Sequence, residues 1–287
     1  MIPPLVRRLV DWLVWDEGST RPAALLRIAL ALLLWDRWAR DFLLFRIEAP
    51  VDFAIALSFY VATSLLLVGL WTRVAVVWTA ITMLVVFFYQ GVFQRVEAYT
   101  HHHTWLLVCM SVLLVFTPCE RSFSVDRWRA LRRAESGGAP CPPERGPLWG
   151  LRLLAMQTSV VYLGATFDKL TWPFLSGVRL QHLYIDRYGT ADPITMPGFD
   201  AIFCALAIGT VVIELALGVG LWIPRVRGPL VIVGLVFHGI LFITLPVGPF
   251  SATMAALYIS FFDPDAVHRV IERLVGRAVR EEDGAAA

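Results

Sequence analysis

Lysine is almost missing from this chain of 287 residues. Of its 25 basic residues only Lys169 is a lysine, and the rest are arginine. A GC-rich codon bias explains the arginine excess. It does not explain why one lysine survives, or where. An arginine does not give up its proton in a protein, whereas a desolvated lysine can, so a position that needs a base would resist the bias. Charge as a whole is scarce: 17% of residues are charged, against about 25% in soluble domains. The net charge is only +2 and no RNA- or DNA-binding motif appears, which excludes a nucleic-acid partner. The four cysteines, Cys109, Cys119, Cys141 and Cys204, form no CxxC pair and no cluster with histidine at zinc-ligand spacing. No GxxxxGK[ST] or GxGxxG loop is present to cradle a phosphate. No internal repeat is present, and Met1-Ile2-Pro3-Pro4-Leu5 lacks the pattern of a cleavable signal peptide.

What the chain has instead is apolar surface. Hydrophobic residues make up 57% and the mean hydropathy is +0.66. The apolar residues fall in long runs, and a spanning helix needs about 20 of them. Eight segments qualify, at about 22–40, 52–71, 74–93, 102–118, 148–168, 201–223, 228–246 and 248–262. The expectation is an all-α integral membrane protein with about eight transmembrane helices. It divides into an N-terminal interfacial amphipathic helix (1–21), the transmembrane domain (22–262) and a C-terminal amphipathic helix and tail (263–287). With eight spans, both termini share a side with loops 72–73, 119–147 and 224–227. That side carries sixteen arginines, against roughly seven basic residues opposite, so the positive-inside rule places the termini in the cytoplasm. The basic loop Arg121–Arg145 reads as a topology signal and solvated linker, with contact to anionic lipid as the other reading. The longest outer loop, Thr171–Asp200, mixes Trp172, Tyr184 and Tyr188 with glycine and proline, and reads as a structured interfacial cap.

Ionisable residues inside spans are expensive and usually functional. His101, His102 and His103 open the fourth span at its outer end, and Lys169 closes the fifth at its outer end. His238 and Glu214 lie near the middle of the seventh and sixth. The histidine run and the sole lysine therefore share a depth and a side. Plainer readings stand beside these: an interfacial histidine run, a lysine that snorkels or pairs with Asp168, a structural Glu214–Arg27 pair, and His238 as an interhelical hydrogen-bond donor. Adjacent histidines on a helix point about 100° apart, so one metal does not take all three, and no metal site is expected.

Three stretches carry a resemblance. The first is Tyr99-Thr100-His101-His102-His103-Thr104-Trp105, on a span that exits into Ser124-Val125-Asp126. The second is Val161-Tyr162 followed by Phe167-Asp168-Lys169-Leu170 and Trp172. The third is Glu214-Leu215, Pro224-Arg225, His238 and Phe250-Ser251. In order and spacing these resemble the HTTM family, the membrane domain shared with vitamin K-dependent gamma-glutamyl carboxylase. The resemblance implies a reduced naphthoquinone of the vitamin K or menaquinol type, oxidised by dioxygen to its epoxide. That oxidation drives proton abstraction and addition of carbon dioxide to an acceptor. It makes Lys169 the base and His103 its helper in catalysis, with His102, His238, Tyr162 and Glu214 in support. Trp105 and Trp172 are the quinone-binding candidates, and the site opens toward the outer face.

Two departures qualify the resemblance. The carboxylase carries a large extracytoplasmic domain after its membrane part, whereas here 25 residues follow the last predicted span. The residue before the lysine is Asp168, where the carboxylase has a second lysine. The expectation is that the quinol half-reaction survives while peptide carboxylation does not. The alternative is a non-enzymatic membrane partner for maturation or export of a secreted peptide.

Overall fold

The computed structural model describes residues 4–44, 49–189, 198–245 and 247–285. The chain is overwhelmingly α-helical, and the predicted apolar segments are all helices. They are α2 (Arg21–Leu44), α3 (Pro50–Val68), α4 (Thr72–Val85, continued by a wider π-helical stretch Val86–Phe93), α5 (His102–Leu114), α7 (Trp149–Lys169), α10 (Phe199–Gly220), α11 (Pro224–Thr244) and α12 (Gly248–Leu257). Four of these, Pro50–Val68, Thr72–Phe93, Phe199–Gly220 and Pro224–Thr244, are long and apolar enough to cross a membrane. The N-terminal segment forms α1 (Pro4–Val10) and a further turn Asp11–Trp15, and the C-terminal tail forms the amphipathic α13 (Pro264–Ala285).

Two findings differ from the sequence reading. The basic loop between α5 and α7 is not a plain linker, because it contains α6 (Val125–Glu135). A two-stranded antiparallel sheet also forms, β1 (Glu17–Ser19) against β2 (Arg145–Pro147), with Gly18 opposite Gly146. Three-residue strands that pair over 120 positions of sequence leave no periodic signal. The Thr171–Asp200 loop, expected on the outer side, folds as the short α8 (Trp172–Leu175) and α9 (Val178–Tyr188). Its segment 190–197 lies outside the described residues.

The chain forms two compact units, Met1–Ala155 with Ala256–Ala287, and Met156–Ala255. In the first, α2 is central. Ala23, Leu26, Arg27, Leu30, Leu34, Trp38 and Phe42 are all buried along it, at the three- and four-residue spacing of one helix face. Its buried cation is met by backbone: the Arg27 guanidinium donates to the Phe123 carbonyl. Gly69, left-handed at φ +69° where it caps α3, has no room for a Cβ, which would fall 2.0 Å from Arg27 Nη1. Asp126 caps the start of α4, accepting from the Trp71 and Thr72 backbone N–H groups and from the Thr72 hydroxyl. Those bonds satisfy the orphan donors of a helix start, and they tie α6 to α4.

The second unit holds the rest of α7, then α8 to α11 and most of α12. Pro224 opens α11, where its fixed φ suits the first helical turn. Gly177, at φ +83°, turns α8 into α9, and a Cβ there would fall 2.6 Å from the Cys204 backbone nitrogen. The α8–α9 corner thus rests directly on α10.

Candidate functional site: a lysine–glutamate pair and a tyrosine–histidine pair

Tyr162, Thr166 and Lys169 stand at i, i+4 and i+7 on α7, which puts them on one face. The facing stripe of α10 carries Glu214 and Gly218, and Trp222 follows just past its end. The two helices run antiparallel here, and their partners match in sequence. Trp222 Nε1 donates to Ser159 Oγ at 2.7 Å. Gly218 packs against Leu163 and Tyr162, to which a Cβ would approach within 3.1 Å and 3.3 Å. Lys169 Nζ donates to both Glu214 carboxylate oxygens, at 2.9 Å and 3.0 Å. Gly218 leaves room on this face for Leu163 and Tyr162, and one turn away the long side chains of Lys169 and Glu214 reach across to each other.

Lys169 Nζ has two further partners. It donates to the Ala165 carbonyl at 3.3 Å, and it lies 5.8 Å from the centre of the Phe174 ring, within cation–π range. Phe174 is buried in an apolar cluster with Ala207 and Val211. Glu214 is nearly enclosed, with 8% of its side chain exposed, while Lys169 keeps 23%. The pair is therefore held from behind and open on the lysine side. Among the plainer readings, the sequence offers Asp168 as a partner for Lys169 and Arg27 as one for Glu214. The structure corrects both: Asp168 is exposed, Glu214 takes the lysine, and Arg27 is engaged at Phe123.

Two turns deeper, Tyr162 Oη and His238 Nε2 are 2.7 Å apart in a fully buried bond. The Phe237 and Phe250 rings flank the imidazole, with centroids at 5.3 Å and 5.9 Å. Thr166, between the two pairs, turns its hydroxyl to the Tyr162 carbonyl, so it adds no free polar atom to the face.

The remaining candidates are placed as follows. His103 belongs to the first unit, at the start of α5. It is half-buried, with its ring against His102 at 3.9 Å between centroids. Trp105 is partly exposed and packs on Phe87 at 4.9 Å. Trp172 is 80% exposed at the start of α8. Among the described residues no cluster of three or more His, Cys, Asp or Glu side chains is placed to hold a metal. Sequence reasoning missed Gly218 and Phe174. A glycine one turn after an intramembrane glutamate is the signal for the first; nothing marked the second.

An apolar helical architecture with ion-paired and hydrogen-bonded groups inside its spans defines a polytopic membrane protein with an intramembrane polar site. The family follows from the sequence match: the HTTM domain model covers residues 23–266, and the chain belongs to that family. No curated protein matches the chain, and no solved structure does.

Proposed function

We propose that this chain is a membrane enzyme similar to the vitamin K-dependent carboxylase. It uses a reduced naphthoquinone, dioxygen and carbon dioxide, with Lys169 and Glu214 as its proton-accepting pair. The observation that carries the reading is the Lys169–Glu214 pair itself, enclosed on the glutamate side and open on the lysine side. The donor set suits a quinol: one site able to take a hydroxyl proton, beside apolar and aromatic walls. The quinol would supply the oxidation by dioxygen, giving its epoxide and one water.

The chain's own part is proton handling. The lysine and glutamate are joined by two hydrogen bonds and act together on a proton. One proton taken from a hydroxyl leaves an ammonium and a neutral carboxyl, whichever of the two receives it. The pair then carries a net charge of +1, facing the oxygen that lost the proton. In an apolar site that charge is weakly screened and stabilises the donor's anion strongly. Phe174 and the Ala165 carbonyl hold the ammonium in place. Tyr162 and His238 form a second, buried polar contact behind it and fix α11 against α7. His103 has the supporting role that the family resemblance gives it, and the site faces the outer side.

The test is mass spectrometry of the purified protein supplied with a menaquinol-type quinol and dioxygen, looking for the epoxide. Epoxide formation that vanishes with Lys169→Ala supports the reading. Because that change strands Glu214, the Lys169→Ala/Glu214→Gln double variant is assayed alongside. Epoxide at wild-type levels from either overturns it. Absence of epoxide from the wild type would favour the peptide-maturation partner.

A further inference from the structure

The second unit carries another feature, on the neighbouring faces of two helices that hold the site. α9, α10 and α11 enclose an apolar groove of about 520 Å³, a volume typical of small-ligand sites. Ile213 and Phe237 lie in its wall, and each is the chain neighbour of a site residue, Glu214 or His238. On α10 the lining runs from Phe199 to Ile213, which at 1.5 Å per residue is roughly 21 Å. Half of the bilayer's hydrocarbon core is about 15 Å, so the groove is long enough for a lipid chain of one leaflet. α10 and α11 are both apolar enough to span a membrane.

The polar atoms of the groove are sorted by position. Thr210 and Thr244 line it, but their hydroxyls are bonded back to the Leu206 and Ile240 carbonyls. The wall is therefore apolar along its length. Its one charged lining residue among those described is Arg187, near the end of α9 and next to Tyr188. α9 is pinned to the start of α10 by Gln181 Nε2 donating to Asp200 Oδ1 at 2.7 Å. The exposed arginine thus stands at the end of the groove where α10 begins, the end at which a lipid headgroup would lie. Tyr184 contributes an aromatic side there, its ring 5.9 Å from that of Phe203.

We propose that this groove is a binding site for one anionic phospholipid, with an acyl chain along α10 and the phosphate at the Arg187 guanidinium. Arginine matches phosphate with a forked, charge-assisted pair of hydrogen bonds, and the chain buries apolar surface that the groove leaves open. The bound lipid fills the space beside α10 and α11, and so holds the spacing of the helices that carry Glu214 and His238. The inference does not depend on the chemistry assigned to Lys169.

The test is native mass spectrometry of the full-length protein in mild detergent, titrated with dioleoyl phosphatidylglycerol or with neutral dioleoyl phosphatidylcholine. The wild type is expected to keep one phosphatidylglycerol about tenfold more tightly than phosphatidylcholine, as one charge-assisted contact would give. Arg187→Gln, at an exposed position, should bring the two lipids level. Gly209→Trp should remove the tight site for both, since an added Cβ there meets nothing within 4 Å and the ring enters the groove without moving backbone. No preference for phosphatidylglycerol in the wild type, or a preference that survives both variants, overturns the proposal.

Discussion

Lys169 and Glu214, 45 positions apart, meet between α7 and α10, where Gly218, one turn from Glu214, seats Leu163 and Tyr162 beside them. A carboxylate that is only 8% exposed depends on its partner, and the partner reaches it only while the two helices keep this packing. Removing one member of a buried ion pair costs roughly 3–5 kcal/mol, whereas replacing both by apolar residues is often neutral. With Lys169 partly exposed, the lower end of that range applies. Thermal unfolding in detergent should therefore rank Lys169→Ala well below the wild type and Lys169→Met/Glu214→Leu close to it. Equal destabilisation by the single and double variants would show that the pair is not coupled.

Gly218 tests the geometry from the other side. The 3.1 Å approach to Leu163 leaves a methyl group just tolerable and a larger side chain not. Gly218→Ala should cost little, and Gly218→Leu about 1–3 kcal/mol through overpacking. Gly218→Leu should also separate Lys169 from Glu214 and abolish any activity that needs the pair. Unfolding midpoints and the epoxide assay read the two effects separately.

The Tyr162–His238 bond predicts a smaller, local effect. Tyr162→Phe removes the hydroxyl from a buried imidazole nitrogen, at a cost of about 1–3 kcal/mol. His238→Ala also opens space among Phe237, Phe250 and Tyr162 and should cost more. If Tyr162→Phe leaves both the unfolding midpoint and the His238 nitrogen NMR shifts unchanged, the bond is absent in solution.

The cysteines report topology and pH. Cys119, buried in the loop after α5, has its thiol pushed up to about 11, chiefly by burial. A thiol raised this way favours the folded state below about pH 9, and that contribution is lost as the pH rises through 9 to 11. At pH 8 a single-cysteine Cys119 protein should resist maleimide, while Cys141, half-exposed before β2, should react at once. In intact cells an impermeant maleimide should miss Cys141, because arginine counts put its loop in the cytoplasm. Labelling from outside would reverse the orientation.

How much of this was legible in the residues is clearest at α7. The apolar run and its closing lysine marked an apolar helix with a charged end, and the spacing of Tyr162, Thr166 and Lys169 already defined one helix face. The sequence could offer only Asp168 as an ion-pair partner for Lys169, as one plainer reading, because adjacency in sequence is visible and helix packing is not. Successive helical residues point about 100° apart, so Asp168 faces away from the side that Lys169 uses. The α6 helix was hidden for a different reason, since its arginines satisfy a topology rule whether or not they are helical.

Composition and hydropathy determined that this is a helical membrane protein and which stretches form its apolar helices, because those properties depend on short stretches of chain against lipid. Only the tertiary structure decided that Glu214 belongs to Lys169, that Tyr162 belongs to His238, and that Ile213 and Phe237, one position from Glu214 and His238, line a groove. Those pairings depend on how helices far apart in sequence pack side by side, which no local pattern records.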